Sequence, residues 1–583
     1  MTLIKMACYL SIFTSSHNVL AQNPPQNGDG QNDGGLSGNS NGNGPIQQTQ
    51  NSISPARRII RGPKPPQNNP PSSERYRSID GSGNHHVIDD MGQAHTQLIR
   101  LVDNDYTDGI SQLSGTLRAN ARTISNAISA QAELMPNNRN ATDFVWQWGQ
   151  FLDHDIDLTD GVDPAEPIDI QIPTGDAYFD PSSSGHAIMS VNRSIYDPAS
   201  GTDISNPRQQ INEISAWIDA SNVYGSDSAR ANELRTLDGS GQLKTSAGGF
   251  LPFNVNGFPN AGGDSEALFL AGDVRVNEQI GLTTLHTLFM REHNWQARRI
   301  KNQSPNLSGD QVYEEARAIV GAEMQAITYF EYLPALLGRN ALPPYRGYDD
   351  RVHAGISNLF SGAVFRYGHS ALSPQLLRLN ANGKSIEQGS LPLRNAFFSP
   401  YRLATEGGIE PLLRGLATQV CQSVDNFIID DVRNFLFGAP GAGGFDLASI
   451  NIQRGRDHGL PSYNEVRAAY GLPLKKSFAE ITSDVDKQNA LASVYPSVDD
   501  IDLWVGGLSE NIEPGALVGQ LIRTVLIEQF SALRDGDRFY FENQMTRQQV
   551  DQIRRTRLSD IIRRNTDIGF EIQDNVFFAV QAL

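Results

Sequence analysis

Residues 144 to 159 read Phe-Val-Trp-Gln-Trp-Gly-Gln-Phe-Leu-Asp-His-Asp-Ile-Asp-Leu-Thr, an amide, an imidazole and several carboxylates set among apolar and aromatic side chains. Burying that mixture is costly unless each polar group finds a partner. On a helix, Gln150 and His154 are four apart and share a face, with Asp153 about 100° to one side of His154 and Asp155 about 100° to the other. The two carboxylates then point about 160° apart and must serve different partners. One reading is a face carrying an acid/base histidine and its amide neighbour; the plain alternative is an amphipathic helix with one satisfied histidine and a solvated acidic end.

Upstream the composition changes. Residues 23–74 are dominated by Asn, Gly, Gln, Pro and Ser, too poor in large apolar groups to offset chain entropy, and are expected to be a disordered linker. Residues 1–22 put one cation before a short apolar run, and Val19-Leu20-Ala21 offers a small residue for cleavage, which resembles a secretory signal and implies a secreted, periplasmic or extracellular protein. Its removal would take Cys8 and leave Cys421 as the only thiol. An exported animal domain without a disulfide is unusual, so a bacterial source is the easier fit. No later run has the length of a membrane span, and no transmembrane anchor is expected. A net charge of -18 argues against nucleic acid or an acidic membrane as partner, although small anions could enter a locally cationic pocket.

From residue 75 to 583 the chain reads as one globular domain. Helical periodicity recurs over 123–134, 143–158, 280–299, 309–333, 409–420, 516–533 and 547–565, while alternating strand patterns are few and short. The expected fold is mainly α, with long loops and no internal repeat.

Four further segments carry chemistry. Ser215-Ala-Trp-Ile-Asp-Ala-Ser221, if extended, presents positions 215, 217, 219 and 221 on one side, a set of hard oxygens suited to Ca²⁺ that needs a second acid such as Asp155. The plain alternative is a Ser/Asp-rich turn ahead of a helix starting near Ser226. Gly272-Asp-Val-Arg-Val-Asn-Glu278 leads into a helix with His286 and His293; Arg275 and Glu278 are spaced for an ion pair on one helical turn, and the two histidines read as satisfied structural groups. Phe365-Arg-Tyr-Gly-His369 offers a lone histidine behind a glycine. Asn451-Ile-Gln-Arg-Gly-Arg-Asp-His-Gly-Leu-Pro461 reads as a loop with two arginines and an amide, fit for a dianionic carboxylate ligand or held by its own charge pairs.

Taken in this order, the five segments resemble the animal-type haem peroxidases of the peroxidase-cyclooxygenase superfamily. The likeness runs from about Tyr76 to Asn543, ending on Ile501-Asp-Leu-Trp-Val-Gly-Gly507 and Arg534-Asp-Gly-Asp-Arg538. It implies a mainly α peroxidase fold with haem b between central helices, hydrogen peroxide as oxidant, and small anions or phenols as reductants of a ferryl state. By the same resemblance His154 is the distal acid/base, Gln150 its pocket partner and Arg275 the distal cation. His369 is the proximal iron ligand, Asn451 accepts its ring N–H, and Arg366 and Arg454 lie near the haem propionates. Asp153 and Glu278 match carboxylates that form esters to the haem. Asp155, Ser215, the Trp217 carbonyl, Asp219 and Ser221 match a calcium site.

Two departures stand out. Where myeloperoxidase links a methionine to haem this chain has Gln279, and the disulfides of the animal enzymes are missing. Two other functions suit parts of the pattern. A fatty-acid dioxygenase or cyclooxygenase needs a tyrosine three residues before the proximal histidine, where this chain has Arg366, with Tyr367 one place later. A non-catalytic, calcium-dependent adhesion or matrix protein would suit the Asn/Gly-rich tail but leaves the intact polar residues without a purpose.

Overall fold

The computed structural model describes residues 75–580, so the segments expected to be signal and linker lie outside the described residues. Helices α1 (Ala121–Ile128), α2 (Phe144–Ile156), α3 (Ser221–Tyr224), α4 (Ser228–Leu234), α5 (Ile280–Gln303) and α6 (Gly309–Ile327) make up the first half. Strand structure among the described residues is limited to three two-residue antiparallel ladders and isolated bridges. They pair Thr96–Gln97 with Ile211–Asn212, Ile170–Gln171 with Ile188–Met189, and Gln375–Leu376 with Leu391–Pro392.

Helix α2 is buried on nearly every side, which its aromatic and aliphatic content demands. Trp148 and Phe151 pack tilted against Phe289 of α5 at 5.7 and 5.2 Å between ring centroids, and Trp148 meets Phe577 near the other end of the chain at 6.4 Å. Truncating such a ring would cost about 3–5 kcal/mol. The polar side chains of α2 therefore sit at fixed positions inside the core.

The helix boundaries depart from the periodicity in four places. Helix α1 stops at Ile128 rather than 134. Helix α6 does not end near 333 but passes through a wide turn, Thr328–Tyr332, into Leu333–Leu337. That turn precedes Pro334, whose ring would strike the carbonyl four residues back in a regular helix. The span 547–565 is two helices, Arg547–Ile553 and Leu558–Asn565, the second opened by the Arg557 and Asp560 side chains. Most consequential is Asn451–Asp457, expected as a loop, which belongs to the helix Leu447–Asp457. Asp446 caps it, its Oδ1 accepting from the backbone N–H groups of Ala448 and Ser449 at 2.9 and 3.2 Å. Its other oxygen meets Arg122 Nη1 of α1 at 2.7 Å, with both side chains fully buried.

Candidate active site

A cleft of about 1250 Å³, mouth included, opens between α2, the turn before α5, and the segment ending at His369. His154 and His369 both line it, as do Gln150, Asp153, Arg275, Glu278 and Arg366. Leu372, Leu393, Phe397 and Leu436 form part of an apolar wall.

On the α2 side, His154 is only 4% exposed. Burial, reinforced by the Arg275 charge, holds its imidazole well below the usual histidine range, so the ring is neutral at neutral pH. Its Nδ1 lies 3.5 Å from Asp273 Oδ1, too far for a good hydrogen bond, and has no other partner among the described residues. Arg275 is expected to pair with Glu278, but the guanidinium turns the other way. Its Nε and Nη2 grip the two oxygens of Asp273 at 2.9 Å each, and Nη2 also donates to the Asp157 carbonyl at 2.9 Å. Nη1 lies 3.6 Å from Asp153. Two residues apart in a turn, Asp273 and Arg275 form a fork, and the backbone N–H of Arg275 adds a third bond to Asp273 at 2.8 Å. Burial opposes the Asp273 charge, but Arg275 holds that carboxyl well below its usual range. The sequence reading missed Asp273, although it stands inside the quoted Gly-Asp-Val-Arg.

Glu278 is left to Gln150, whose Nε2 donates to Glu278 Oε1 at 3.1 Å. Burial raises Glu278 to about 7, and burial with the neighbouring Asp157 charge raises Asp153 to about 7. Asp155 faces away from the cleft, as the helical spacing requires. Its two oxygens accept from the backbone N–H groups of Ala220 and Asn222 at 3.3 Å, and Ser221 Oγ donates to its carbonyl at 2.7 Å.

The loop that receives Asp155 is not extended throughout, since Ser221 already opens α3. Ser215 Oγ donates to Asp219 Oδ2 at 2.9 Å, and Ser221 N–H donates to Asp219 Oδ1 at 3.0 Å. Burial, then the Asp219 charge, pushes Asp155 well above the carboxylate range; burial raises Asp219 too. Two buried acids so placed favour a cation between them, and the surrounding donors are hard oxygens. Among the described residues no group of three or more His, Cys, Asp or Glu side chains could hold a metal, so hydroxyl and carbonyl oxygens would have to complete any site. The same loop also touches the arginine fork, as Asp273 N–H donates to the Asn222 carbonyl at 3.0 Å.

On the other side of the cleft, Asn451 Nδ2 faces His369 Nδ1 at 2.8 Å. The expected direction is the reverse, ring N–H to amide oxygen. In this rotamer the amide oxygen faces Arg366 Nη1 at 3.5 Å instead, and a half-turn of the amide restores the expected bond. Burial and then Arg366 lower His369 to about 3, so its ring is uncharged. Arg366 donates to the Ser361 carbonyl at 2.8 Å and has no carboxylate within 4 Å among the described residues; burial and the nearby Arg454 lower it to about 10. Arg454, expected beside it, does not line the cleft. Its Nη1 is engaged by Asp457 at 3.0 Å, Ser194 Oγ at 2.7 Å and the Asn192 carbonyl at 3.1 Å. Helical spacing explains the difference, because residues 454 and 457 meet on one turn.

Two secondary expectations divide. His293 is a satisfied structural histidine, bonded to Tyr224 Oη and the Gly241 carbonyl at 2.9 Å each. His286 is less well held, its ring nitrogens outside good hydrogen-bond geometry among the described residues, with only the Asn222 backbone close by. The Tyr367 hydroxyl meets that of Tyr332 at 2.6 Å.

The animal haem peroxidase family model matches residues 76–577. The chain belongs to that family. It is therefore a peroxidase, and haem is the family's cofactor. Peroxinectin A of Dictyostelium discoideum is 36% identical over 529 residues, covering 87% of this chain and 96% of that protein. Peroxidasin of Drosophila melanogaster is also 36% identical, but this chain covers only 36% of its length. Among solved structures, peroxidase A from Dictyostelium discoideum superposes with a TM-score of 0.81 at 36% identity, over 87% of this chain and all of that one. A fatty acid alpha-dioxygenase of Oryza sativa shares the fold, with a TM-score of 0.73 at 22% identity over 87% of this chain and 88% of its own. No helix among the described residues is long and apolar enough to cross a membrane.

Proposed function

We propose that this peroxidase reduces hydrogen peroxide at a haem b group held in the cleft and oxidises iodide, thiocyanate, bromide or phenolic donors. The observation that carries the reading is the placement of two uncharged histidines, His154 and His369, on one cleft with a fixed cation, Arg275. The residues present fit the cofactor. The cleft has an apolar wall, a half-buried Arg366 without a carboxylate partner stands ready for a propionate, and Asp153 and Glu278 offer carboxyls for covalent attachment. His369 would ligate the iron, with Asn451 behind it as a neutral partner. Arg454 is better read as a brace for the helix Leu447–Asp457 than as a propionate contact.

When bound, the haem supplies a redox-active iron that takes oxidising equivalents from peroxide. The chain supplies the proton handling. Neutral His154 accepts a proton from one peroxide oxygen and returns it to the other as that oxygen leaves as water. Arg275, locked by Asp273, presents a cation whose position costs no reorganisation as negative charge grows on the departing oxygen. Gln279 offers no sulfur, so at most two covalent links, through Asp153 and Glu278, tie the haem. Electron withdrawal is then weaker than with a third link, and chloride should be a poor substrate. A calcium ion held by Asp155, Ser215, Trp217, Asp219 and Ser221 would fix α2 against the loop. Secretion would follow from the first 22 residues, which determination of the mature N-terminus would test.

His369→Ala should abolish or grossly alter the Soret band; an unchanged spectrum would sink the assignment. Formation of hypochlorous acid at neutral pH as fast as hypobromous acid would remove Gln279 as the limiting feature.

A further inference from the structure

The amide of Gln279 is oriented by a group with only one role open to it. A backbone N–H can only donate. At the start of α5 the Gly281 N–H donates to Gln279 Oε1 at 2.6 Å. The nitrogen of that amide must then point elsewhere, and it donates to Gln147 Oε1 at 2.6 Å and to Gln150 Oε1 at 3.0 Å. With its oxygen turned to Gln279, Gln150 presents its own NH₂ to Glu278. Direction thus passes from a helix terminus through two side-chain amides to a carboxyl on the cleft.

Space and burial agree with this. A Cβ on Gly281 would lie 2.5 Å from Gln147 Oε1 and 2.8 Å from Gln279 Oε1, so the chain carries no side chain where the amides cross. Gln147 and Gln279 are 0% and 2% exposed, which keeps water from reversing the order. Glu278 Oε2 has no hydrogen-bond partner among the described residues. The charged groups acting on this carboxyl are Arg275, which favours its ionised form, and Asp273, which opposes it.

We propose that Gln279 is a positioning residue. It turns Gln150 so that the amide holds Oε1 of Glu278, leaving Oε2 as the oxygen available for attachment to haem. Only the last clause rests on the ester reading above.

The test compares holoenzyme carrying Gln279→Met, which loses every amide contact, with Gln279→Ser. Serine can still cap α5 but is too short to reach Gln150. Two quantities are read. One, read before any peroxide is added, is the titration midpoint of the free Glu278 carboxyl by infrared difference spectroscopy, assigned by its loss in Glu278→Gln. The other is the share of haem attached through Glu278 after peroxide treatment, from mass spectrometry of haem-bearing peptides. Both variants should raise the midpoint by up to about one unit, the scale of a lost hydrogen bond to the ionised form. Both should also cut attachment through Glu278 severalfold while leaving attachment through Asp153 unchanged. An unmoved midpoint in Gln279→Ser overturns the proposal, as does a shift confined to Gln279→Met, which would trace the effect to the lost cap. If the wild type yields no haem-bearing peptide, the ester reading falls and the midpoint alone decides the role of Gln279.

Discussion

At the scale of single residues, the site separates the group that moves a proton from the groups that hold charge still. His154 is neutral because it is buried beside a cation, whereas Arg275 is immobile because Asp273 occupies two of its nitrogens. Replacing His154 by Gln should slow the reaction with peroxide by about 10²–10⁴-fold, measured by stopped-flow absorbance in the Soret region. A loss of less than tenfold would point to another proton carrier. Asp273→Asn keeps the shape of the fork but removes its charge. If a charge-assisted bond worth about 1.5–3 kcal/mol is expressed in the transition state, the peroxide rate should fall roughly 10- to 100-fold. An unchanged rate would show that Arg275 needs no clamp. Asp273 was legible in principle, since an acid two places before an arginine in a turn is a natural fork. Helical spacing alone favours Glu278, three residues on, whereas the turn at 273–275 brings the guanidinium back onto Asp273.

At the scale of elements, α2 is legible in the sequence because its chemistry and its periodicity agree: a helix buried on nearly every side must find a partner for each polar group. The helix Leu447–Asp457 is hidden in the sequence for the opposite reason. Gly455 and two arginines look like a loop, and the stabilising features, the Asp446 cap and the Arg122 contact, come from residues outside the motif. Asp446→Ala removes the cap and one of the two carboxylates that pair with Arg122, which keeps Asp176 at 2.8 Å, so urea denaturation should show a loss of about 2–4 kcal/mol. A loss under 1 kcal/mol would mean that Asp176 and Asn434 hold Arg122 without help from Asp446. The loop after Ser215 gives a second prediction at this scale. Asp219→Ala should lower the calcium content found by elemental analysis and reduce peroxidase activity, because the loop holds Asp155 and Asp273 at once; full activity with no calcium would refute the coupling. Its oxygen donors were legible as residue types, but their convergence with Asp155, over 60 residues away in sequence, depends on tertiary packing that local spacing does not encode.

For the molecule as a whole, buried acids tie stability to pH. Burial raises Asp143, at the head of α2, to about 7, while Ser373 Oγ donates to its Oδ1 at 2.7 Å. The folded state thus holds that proton more tightly than the unfolded chain, whose aspartate titrates near pH 4. The contribution is complete below about pH 4 and is lost as pH rises through about 7, with a slope of up to ~1.4 kcal/mol per unit. Asp143→Asn keeps the acceptor for Ser373 and cannot ionise. Denaturant titrations should show it gaining on the wild type between about pH 4 and 7; parallel curves would place the ionisation elsewhere. The thiol inventory has a different consequence. Cys421 is the one cysteine among the described residues, 1% exposed and in contact with Asn137 Nδ2 at 3.3 Å. No cross-link between described residues has to be made or kept for this fold to stand. The melting temperature of this domain should be indifferent to dithiothreitol, which thermal unfolding with and without the reductant would check.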